Sequence, residues 1–241
     1  MRYGIFSDIH GNWEALQEAL RFYEKEGITD YICLGDIVGY GANPKECLDQ
    51  VRALNAICVA GNHDWAVSGR LNFSLFHPAA QEAVLWTQRQ LAREDLEFLN
   101  NLFLVFQNND FTAVHGTLSE PEFFHYMIYM SDAVETFHLM DRPVCFVGHS
   151  HVPHILRSHG GDTVKTEGIN IQVDPLNKYI VNVGSVGQPR DGNPKTSCCI
   201  YDTHTRNISM NRISYDVQTA HAKILKAGLP EALAERLLVG M

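Results

Sequence analysis

Residues 2–10 read Arg2-Tyr3-Gly4-Ile5-Phe6-Ser7-Asp8-Ile9-His10, a short apolar run followed directly by an acidic residue and a histidine. The run from Arg2 to Phe6 predicts a β-strand. A helix should follow, because Asn12 is a good N-cap residue and large apolar side chains then recur at helical spacing up to Gly27: Trp13, Leu16, Leu20 and Tyr23. A strand that leads into a helix is the repeating unit of α/β proteins.

The alternation of strands and helices continues through the first half of the chain. Further strands are predicted at 31–34, 56–60, 111–114 and 144–147. Helices are predicted at 44–54 after a capping-box start at Asn43, across 78–101, and near 131–140. After His154 the strands become shorter, and Asp216 caps a C-terminal helix; these strands are predicted at 155–157, 169–173, 179–183, 198–201 and 208–213. No linker, repeat or low-complexity segment divides the chain, so residues 1–241 are predicted to form a single domain with an α/β layered core.

The composition is typical of a globular protein with an acidic surface. Of the 241 residues 45% are hydrophobic, enough for a sizeable core, and no apolar stretch approaches the roughly 20 residues that span a bilayer. The six cysteines form no C-x-x-C pair and mostly lie in apolar runs, as reduced core thiols do. We therefore expect a cytoplasmic protein with no membrane partner. The formal net charge of −9 disfavours nonspecific nucleic-acid binding, because the surface repels phosphate backbones.

Metal-binding residue types follow five of the predicted strands, at the point where each strand ends. They are Asp8 and His10, then Asp36, then Asn62 with His63 and Asp64, then His115, and finally His149 and His151. The carboxyl ends of strands are where α/β sheets place their ligand sites. In D-x-H and H-x-H, residues two apart in extended backbone point to the same side, so both could grip one metal. Oxygen ligands mixed with imidazoles suit Mn²⁺, Fe or Zn²⁺ better than an all-oxygen Ca²⁺ or Mg²⁺ site.

Each of these residues also has a simpler structural interpretation. Asp and Asn after a glycine commonly make turns or helix caps, and a lone histidine beside a strand is commonly structural. Turn chemistry does not explain why every such turn carries a metal-competent side chain, so the set as a whole favours a metal site. His154 stays open because it lies close to the H-x-H pair. Surface or cap roles are expected for the other histidines, namely His77, His125, His138, His159, His204 and His221.

In this order, the pieces D-x-H, G-D, G-N-H-D, H-G and G-H-S-H resemble the motifs of the calcineurin-like metallophosphoesterases. The stretch 182–190 (Asn-Val-Gly-Ser-Val-Gly-Gln-Pro-Arg) is similar to a segment of small stand-alone bacterial and archaeal members. The resemblance implies two packed mixed β-sheets flanked by helices, a four-layer sandwich. It also implies a ligand set in which Asp36 bridges two metals, one held by Asp8, His10 and His151 and the other by Asn62, His115 and His149.

One departure from the family pattern concerns the substrate. In the protein-phosphatase and dinucleoside-tetraphosphate branches the second motif continues to an Asp-Arg pair that supports the site and binds phosphate. The corresponding stretch here, 35–41, reads Gly-Asp-Ile-Val-Gly-Tyr-Gly, so both residues are missing. Phosphoprotein and symmetrical dinucleotide hydrolysis are therefore not expected. Tyr40 and Arg190 are candidate substrate-binding residues, although Arg190 could equally be a solvated loop charge.

The resemblance implies hydrolysis of a phosphate ester by two divalent ions, Mn²⁺ first and Fe, Zn²⁺ or Ni²⁺ as alternatives. Two such ions roughly 3.5–4 Å apart lower the pKa of a shared water toward neutrality, so that hydroxide attacks phosphorus without a covalent intermediate. His63 is then expected beside the leaving group, with Asp64 fixing its tautomer. The leading interpretation is a phosphodiesterase or phosphatase acting on a small molecule or nucleotide. A noncatalytic scaffold on the same fold and a nuclease remain the alternatives, and the oligomeric state is left open.

Overall fold

Two mixed β-sheets pack face to face in a computed structural model that describes residues 1–166 and 168–241. The strands of these residues are β1 (Arg2–Phe6), β2 (Asp30–Cys33), β3 (Ile57–Cys58), β4 (Val105–Gln107), β5 (Thr112–Val114), β6 (Val144–Val147), β7 (His154–His159), β8 (Asp162–Lys165), β9 (Asn170–Gln172), β10 (Lys178–Asn182), β11 (Thr196–Asp202) and β12 (Asn207–Ile213). The helices are α1 (Trp13–Lys25), α2 (Pro44–Ala53), α3 (Asn62–Ser68), α4 (Pro78–Gln90), α5 (Arg93–Asn100), α6 (Ala133–Leu139), α7 (Val217–Lys226) and α8 (Glu231–Val239).

Each sheet combines a parallel part, which carries the strand ends of the site, with an antiparallel part. The first sheet has the order β3-β2-β1-β11-β12-β9, in which β1, β2 and β3 run parallel. The second has the order β4-β5-β6-β10-β7-β8, in which β5, β6 and β10 run parallel. The chain returns to the centre of both sheets late in the sequence, since β11 pairs with β1 and β10 pairs with β6. Both parallel parts therefore depend on the C-terminal half for their neighbours.

The four layers follow from the two faces of each strand. On β1, Ile5 packs into the core between the sheets, whereas the next residue, Phe6, packs against the helices that cover the first sheet. On β6, Phe146 lies in the same inter-sheet core and Cys145 lies on the face covered by α6. This alternation is the period of two that extended backbone imposes. The prediction of two packed mixed sheets flanked by helices is confirmed.

Several predicted elements are confirmed with their caps. Asn12 accepts a hydrogen bond from the backbone N–H of Ala15 at 3.1 Å and so caps α1. Asp216 accepts one from Thr219 at 3.0 Å and caps α7. At the start of α2, by contrast, the Asn43 side chain donates to Glu46 and makes no capping bond to the backbone.

Other predictions need correction. The helical stretch predicted across 78–101 is two helices, because Leu91 is extended and Asp95 accepts the backbone N–H of Ala92 to start α5. The C-terminal helix is likewise two, α7 and α8. The strand expected at 56–60 is paired only over Ile57–Cys58. Strands β4 and β8 and the short helix α3 were not predicted. No helix in the described ranges combines the length and apolar character needed to cross a membrane.

Candidate metal centre

The predicted site residues converge where the parallel strands of the two sheets end. Asp8 and His10 follow β1 and Asp36 follows β2, while Asn62 and His63 open α3. From the second sheet, His115 follows β5, and His149 and His151 follow β6. All seven predicted ligand residues are at most 9% exposed, although charged and polar side chains are rarely buried so deeply without partners.

Asp36 lies between two groups of imidazoles. Its Oδ2 is 3.5 Å from His10 Nε2 and 3.4 Å from His115 Nε2. On one side Asp8 Oδ1 is 3.2 Å from His151 Nε2. One carboxylate oxygen thus faces both halves of the site, which is the arrangement that a bridging ligand requires.

Pairs of ring nitrogens face each other across the site. His10 Nε2 is 3.2 Å from His151 Nε2, and His115 Nε2 is 3.1 Å from a ring nitrogen of His149. The other ring nitrogen of His10 lies 3.1 Å from the Val38 carbonyl oxygen, which fixes the proton on Nδ1 and leaves an Nε2 lone pair. His115 and His151 are held in the same way by the carbonyl oxygens of Leu34 and Gln188. Two facing lone pairs repel, so each pair of ring nitrogens suits a cation between them, either a proton or a metal ion that displaces it.

Buried atoms without partners support the same interpretation. Asp8 Oδ1, Asn62 Oδ1, His63 Nδ1 and His149 Nε2 are buried and make no hydrogen bond to the described residues. A buried polar atom without a partner costs free energy, on the order of 1–3 kcal/mol, unless a ligand or water satisfies it. Three groups of side chains could hold an ion by geometry, namely Asp8–His10–His151, His10–Asp36–His63 and Asp36–His115–His149. The donor set of oxygens and imidazoles therefore fits borderline divalent metals.

Burial and neighbouring charges shift the pKa values of the site residues in opposite directions. Burial lowers the pKa of His10, His149 and His151 below the usual range for histidine. Burial acts in the same direction on His115, but the Asp36 and Asp8 carboxylates outweigh it and raise the pKa of His115 to about 9. Burial also works against the charge on Asp36, yet the facing imidazoles hold the pKa of this carboxyl well below its usual value. Asp36 is therefore ionised and available as a ligand at neutral pH.

The backbone at the site differs from the predicted extended geometry. Asp8, His10, His149 and His151 have φ between 49° and 65°, and Asp36 has φ 54°. The side chains of D-x-H and H-x-H therefore do not converge through the extended backbone that the sequence predicted. The side chains converge because the chain turns through left-handed conformations, which cost of order 1–3 kcal/mol each and cluster at functional sites.

Two motif positions require glycine because side-chain atoms of neighbouring loops approach the backbone there too closely for a Cβ. A Cβ on Gly61 would lie 2.0 Å from Asp36 Oδ1, and one on Gly148 would lie 2.0 Å from Ser7 Oγ. Any larger residue would push apart the loops that carry the predicted ligands. The glycines in G-N-H-D and G-H-S-H therefore allow neighbouring strand ends to touch.

The structure corrects the role expected for Asp64. Its carboxylate accepts hydrogen bonds from the backbone N–H groups of Asp36 at 2.8 Å, Ile37 at 2.9 Å and Gly61 at 3.0 Å, and it does not contact the His63 ring nitrogens. Burial, reinforced by the Asp36 carboxylate, raises the pKa of Asp64 to about 7. Asp64 therefore fixes the loop after β2 and does not set the tautomer of His63.

His63 lies at the edge of the centre, where a cavity of about 550 Å³ begins. Its ring centroid is 4.9 Å from that of His10 and 4.4 Å from that of Tyr40. Burial lowers the pKa of His63 to about 4, so the ring is neutral at neutral pH. A neutral imidazole can still donate one N–H to a group in the cavity.

Tyr40 and Arg190, the two candidate substrate-binding residues of the sequence, also line the cavity. Two further residues of its wall carry no motif in the sequence. Tyr126 stacks on the predicted ligand His149, with ring centroids 3.8 Å apart. Arg236 projects from α8. The sequence hints at its position only in that a charged residue follows Leu233 by three residues, on the otherwise apolar face of the helix. His154 bonds the carbonyl oxygen of Val152 and lies outside the three groups that could hold an ion.

Comparisons with known proteins agree with this geometry. The calcineurin-like phosphoesterase superfamily domain matches residues 1–206. An uncharacterised protein of Methanocaldococcus jannaschii is 41% identical over 98% of this chain and 97% of its own. The crystal structure of a metallophosphoesterase from Sphaerobacter thermophilus is 39% identical with a TM-score of 0.88, covering 100% of this chain and 99% of that one. A hypothetical protein from Pyrococcus horikoshii is 20% identical with a TM-score of 0.80, over 100% and 98% of the two chains, and shows likeness of fold alone.

Proposed function

This chain belongs to the calcineurin-like phosphoesterase superfamily, and we propose that it hydrolyses small-molecule or nucleotide phosphate esters with two divalent transition-metal ions. The observation that carries the proposal is the position of Asp36 Oδ2, 3.5 Å from His10 Nε2 and 3.4 Å from His115 Nε2. A carboxylate shared in this way serves two ions at once. We also propose that residues 1–241 form one domain. Because all six cysteines are free thiols, we propose a cytoplasmic location.

The proposed ligand sets follow the two sides of Asp36. Asp8, His10 and His151 would hold one ion, Asn62, His115 and His149 would hold the other, and Asp36 would be shared between the two sets. The unpartnered oxygens of Asp8 and Asn62 support one assignment on each side. Mn²⁺ is our first choice for both positions, with Fe, Zn²⁺ or Ni²⁺ as alternatives that the same donor atoms accept.

When bound, such ions supply positive charge that lowers the pKa of a water molecule and stabilises developing negative charge on the phosphoryl oxygens. The residues of the chain position the ester and assist its departure. Asn62, His63 and His149 line the cavity, so a phosphate at the centre would lie within their reach. His63 donates a hydrogen bond to the leaving-group oxygen, and Arg190 donates to a phosphoryl oxygen.

We propose that water attacks phosphorus in a single step. The described side chains that line the cavity include no Ser, Thr, Cys, Asp or Glu, so a nucleophile of these types is not offered to the substrate, and the histidine at the edge of the centre, His63, is assigned to the leaving group. Asp8 and Asp36 lie behind this wall and face the imidazoles. A single in-line step inverts the configuration at phosphorus.

The proposed substrate class favours diesters over phosphoproteins. No arginine follows Asp36 closely in the sequence, so no guanidinium is fixed beside Asp36 by its own loop. Of the described residues that line the cavity, Arg190 is the arginine that lies over Tyr40, with its guanidinium carbon 5.8 Å from the ring centroid, and its Nη2 donates to Gln188 at 2.8 Å. Fewer hydrogen-bond donors beside Asp36 are therefore available to the doubly charged phosphate group of a monoester. The net charge of −9 supports a small substrate over nucleic-acid polymers.

The test is a substrate panel on purified protein, stripped of metal and then reloaded with Mn²⁺. We expect the reloaded protein to hydrolyse bis(p-nitrophenyl) phosphate faster than phosphopeptides, and the stripped protein to hydrolyse neither. Far faster hydrolysis of phosphopeptides than of any diester would contradict the substrate class. Failure to hydrolyse any ester would contradict the proposed function.

A further inference from the structure

Two arginines from distant parts of the chain meet in the wall of the cavity. Arg190 Nη2 donates to Gln188 Oε1 at 2.8 Å, and Arg236 Nη1 donates to the same oxygen at 3.3 Å. Gln188 is 1% exposed, and both arginines line the cavity. One buried amide oxygen thus gathers two positive charges beside the metal centre.

Neither guanidinium is neutralised within the described part of the chain. The acidic neighbour of Arg190, Asp191, pairs instead with Arg212 at 2.6 Å. The acidic neighbour of Arg236, Glu235, pairs instead with His221 at 2.9 Å. No aspartate or glutamate is among the described residues that line the cavity.

The buried atoms of this pair also lack partners. The Nε atoms of Arg190 and Arg236 are both buried without an acceptor. Burial, with Arg190 as the next cause, lowers the pKa of Arg236, as expected for like charges held together away from water. Two partly buried guanidinium groups side by side repel each other and lose hydration, and packing alone does not offset this cost in free energy. An anion in the cavity would offset it, because each guanidinium can donate two parallel hydrogen bonds to phosphate or carboxylate oxygens.

The two arginines are linked to the metal centre through Gln188, and apolar side chains line the cavity around them. The backbone oxygen of Gln188 is 2.5 Å from His151 Nδ1, so the residue that holds both arginines also orients a predicted ligand. Phe76, Tyr126 and Leu233 line the same cavity. A ligand that fills it would therefore meet the metal centre, aromatic and aliphatic side chains, and a doubly positive wall.

We propose that Arg236, together with Arg190, forms a subsite for a second anionic group of the substrate, such as a second phosphate, joined to an apolar or aromatic body. This inference rests on the proposed function, since it names the substrate that the centre would hydrolyse. The guanidinium carbon of Arg190 is 5.8 Å from the centroid of the Tyr40 ring, which is itself 4.6 Å from the ring centroid of His10, so we assign Arg190 to the phosphoryl group. Arg236 contacts the second anion.

A matched pair of substrates tests the subsite. Each is the p-nitrophenyl phosphodiester of one nucleoside, with or without a second phosphate on the sugar. Loss of a charged hydrogen bond in Arg236→Gln should reduce kcat/KM for the doubly phosphorylated ester by roughly 10- to 100-fold, mainly through KM, and should reduce it much less for the other ester. Arg236→Lys keeps the charge and should recover part of the loss. Arg89→Gln removes an exposed arginine of α4 outside the cavity and should change neither value.

Binding to the metal-free protein separates the subsite from the reaction. In calorimetry a nucleoside bisphosphate should bind wild-type protein more tightly than Arg236→Gln, and Arg236→Lys should lie between them. Binding that depends on Arg236 without hydrolysis of either ester would support the subsite and contradict the proposed function. Equal losses for both esters in Arg236→Gln, or bisphosphate affinity unchanged by this substitution, would overturn the subsite even if the enzyme is active.

Discussion

At the scale of single residues, left-handed backbone is concentrated at the metal centre. Of the ten non-glycine residues described with positive φ, six are at the site or its edge, namely Asp8, His10, Asp36, Tyr40, His149 and His151. A side chain in this conformation is strained, so the surrounding packing must hold it there. Such clustering supports a functional role for these positions independently of the sequence motifs.

We expect His63→Ala to keep its metal ions and to lose about 100- to 10,000-fold in turnover of esters with poor leaving groups. The reason is that His63 lines the cavity, whereas the proposed ligand sets do not include it. The loss should be smaller with p-nitrophenolate, which needs little assistance to depart. Steady-state rates and metal analysis on both types of ester provide the measurement.

An exposed histidine in the turn between β11 and β12 provides the control, since His204→Ala removes an imidazole far from the centre. Equal losses with good and poor leaving groups, or loss of metal from His63→Ala, would contradict the role assigned to His63.

At the scale of elements, the site depends on contact between the end of β1 and the end of β6. Gly148 donates its backbone N–H to the carbonyl oxygen of His115 within the second sheet, and the next residue, His149, donates its backbone N–H across to Asp8 Oδ2 of the first sheet at 3.1 Å. The two sheets are thus tied together at the residues that carry the predicted ligands. Their separation cannot change without moving both halves of the centre.

Gly148→Ala should reduce the free energy of unfolding by about 1–3 kcal/mol, the usual cost of overpacking, and should weaken metal binding. The added Cβ would lie 2.0 Å from Ser7 Oγ and 2.7 Å from Asp8 Oδ2. Urea unfolding measures the first effect and metal titration the second. Gly168→Ala is the matched control, because its nearest contact is an ordinary 3.6 Å. A Gly148→Ala protein as stable as this control, with unchanged metal affinity, would show that the strand ends can separate freely.

The elements differ in how far sequence could predict them, and burial explains the difference. Helix α1 was predictable because its cap and its apolar stripe are local signals. Helix α3 was not, since six of its seven residues are buried and no amphipathic period marks it. Strand β8 is mostly exposed, so it lacks the alternation that reveals a half-buried strand. The break between α4 and α5 depends on Asp95, whose partner Arg52 belongs to α2.

At the scale of the whole molecule, the order of the motifs predicted which side chains would meet, but not the cavity beside them. The metal-competent residues each follow a strand, and parallel strands bring their ends together. Arg190 and Arg236 meet only because α8 packs against α7 and beside α4, and no sequence period records that contact. The surface as a whole carries a net charge of −9, whereas the cavity wall carries two arginines. A small anion is therefore attracted where a polyanionic chain is repelled.

The measurement that tests the account most directly is the number of metal ions bound per chain, set against phosphodiesterase activity. We predict about two ions for the wild-type protein after reloading with Mn²⁺. Because Asp36 Oδ2 faces both halves of the site, Asp36→Asn should lower that number and abolish most of the activity. Asp141→Asn, which changes an exposed carboxylate away from the centre, should leave both values as in the wild type. A wild-type protein that hydrolyses diesters with close to zero bound metal would contradict the account.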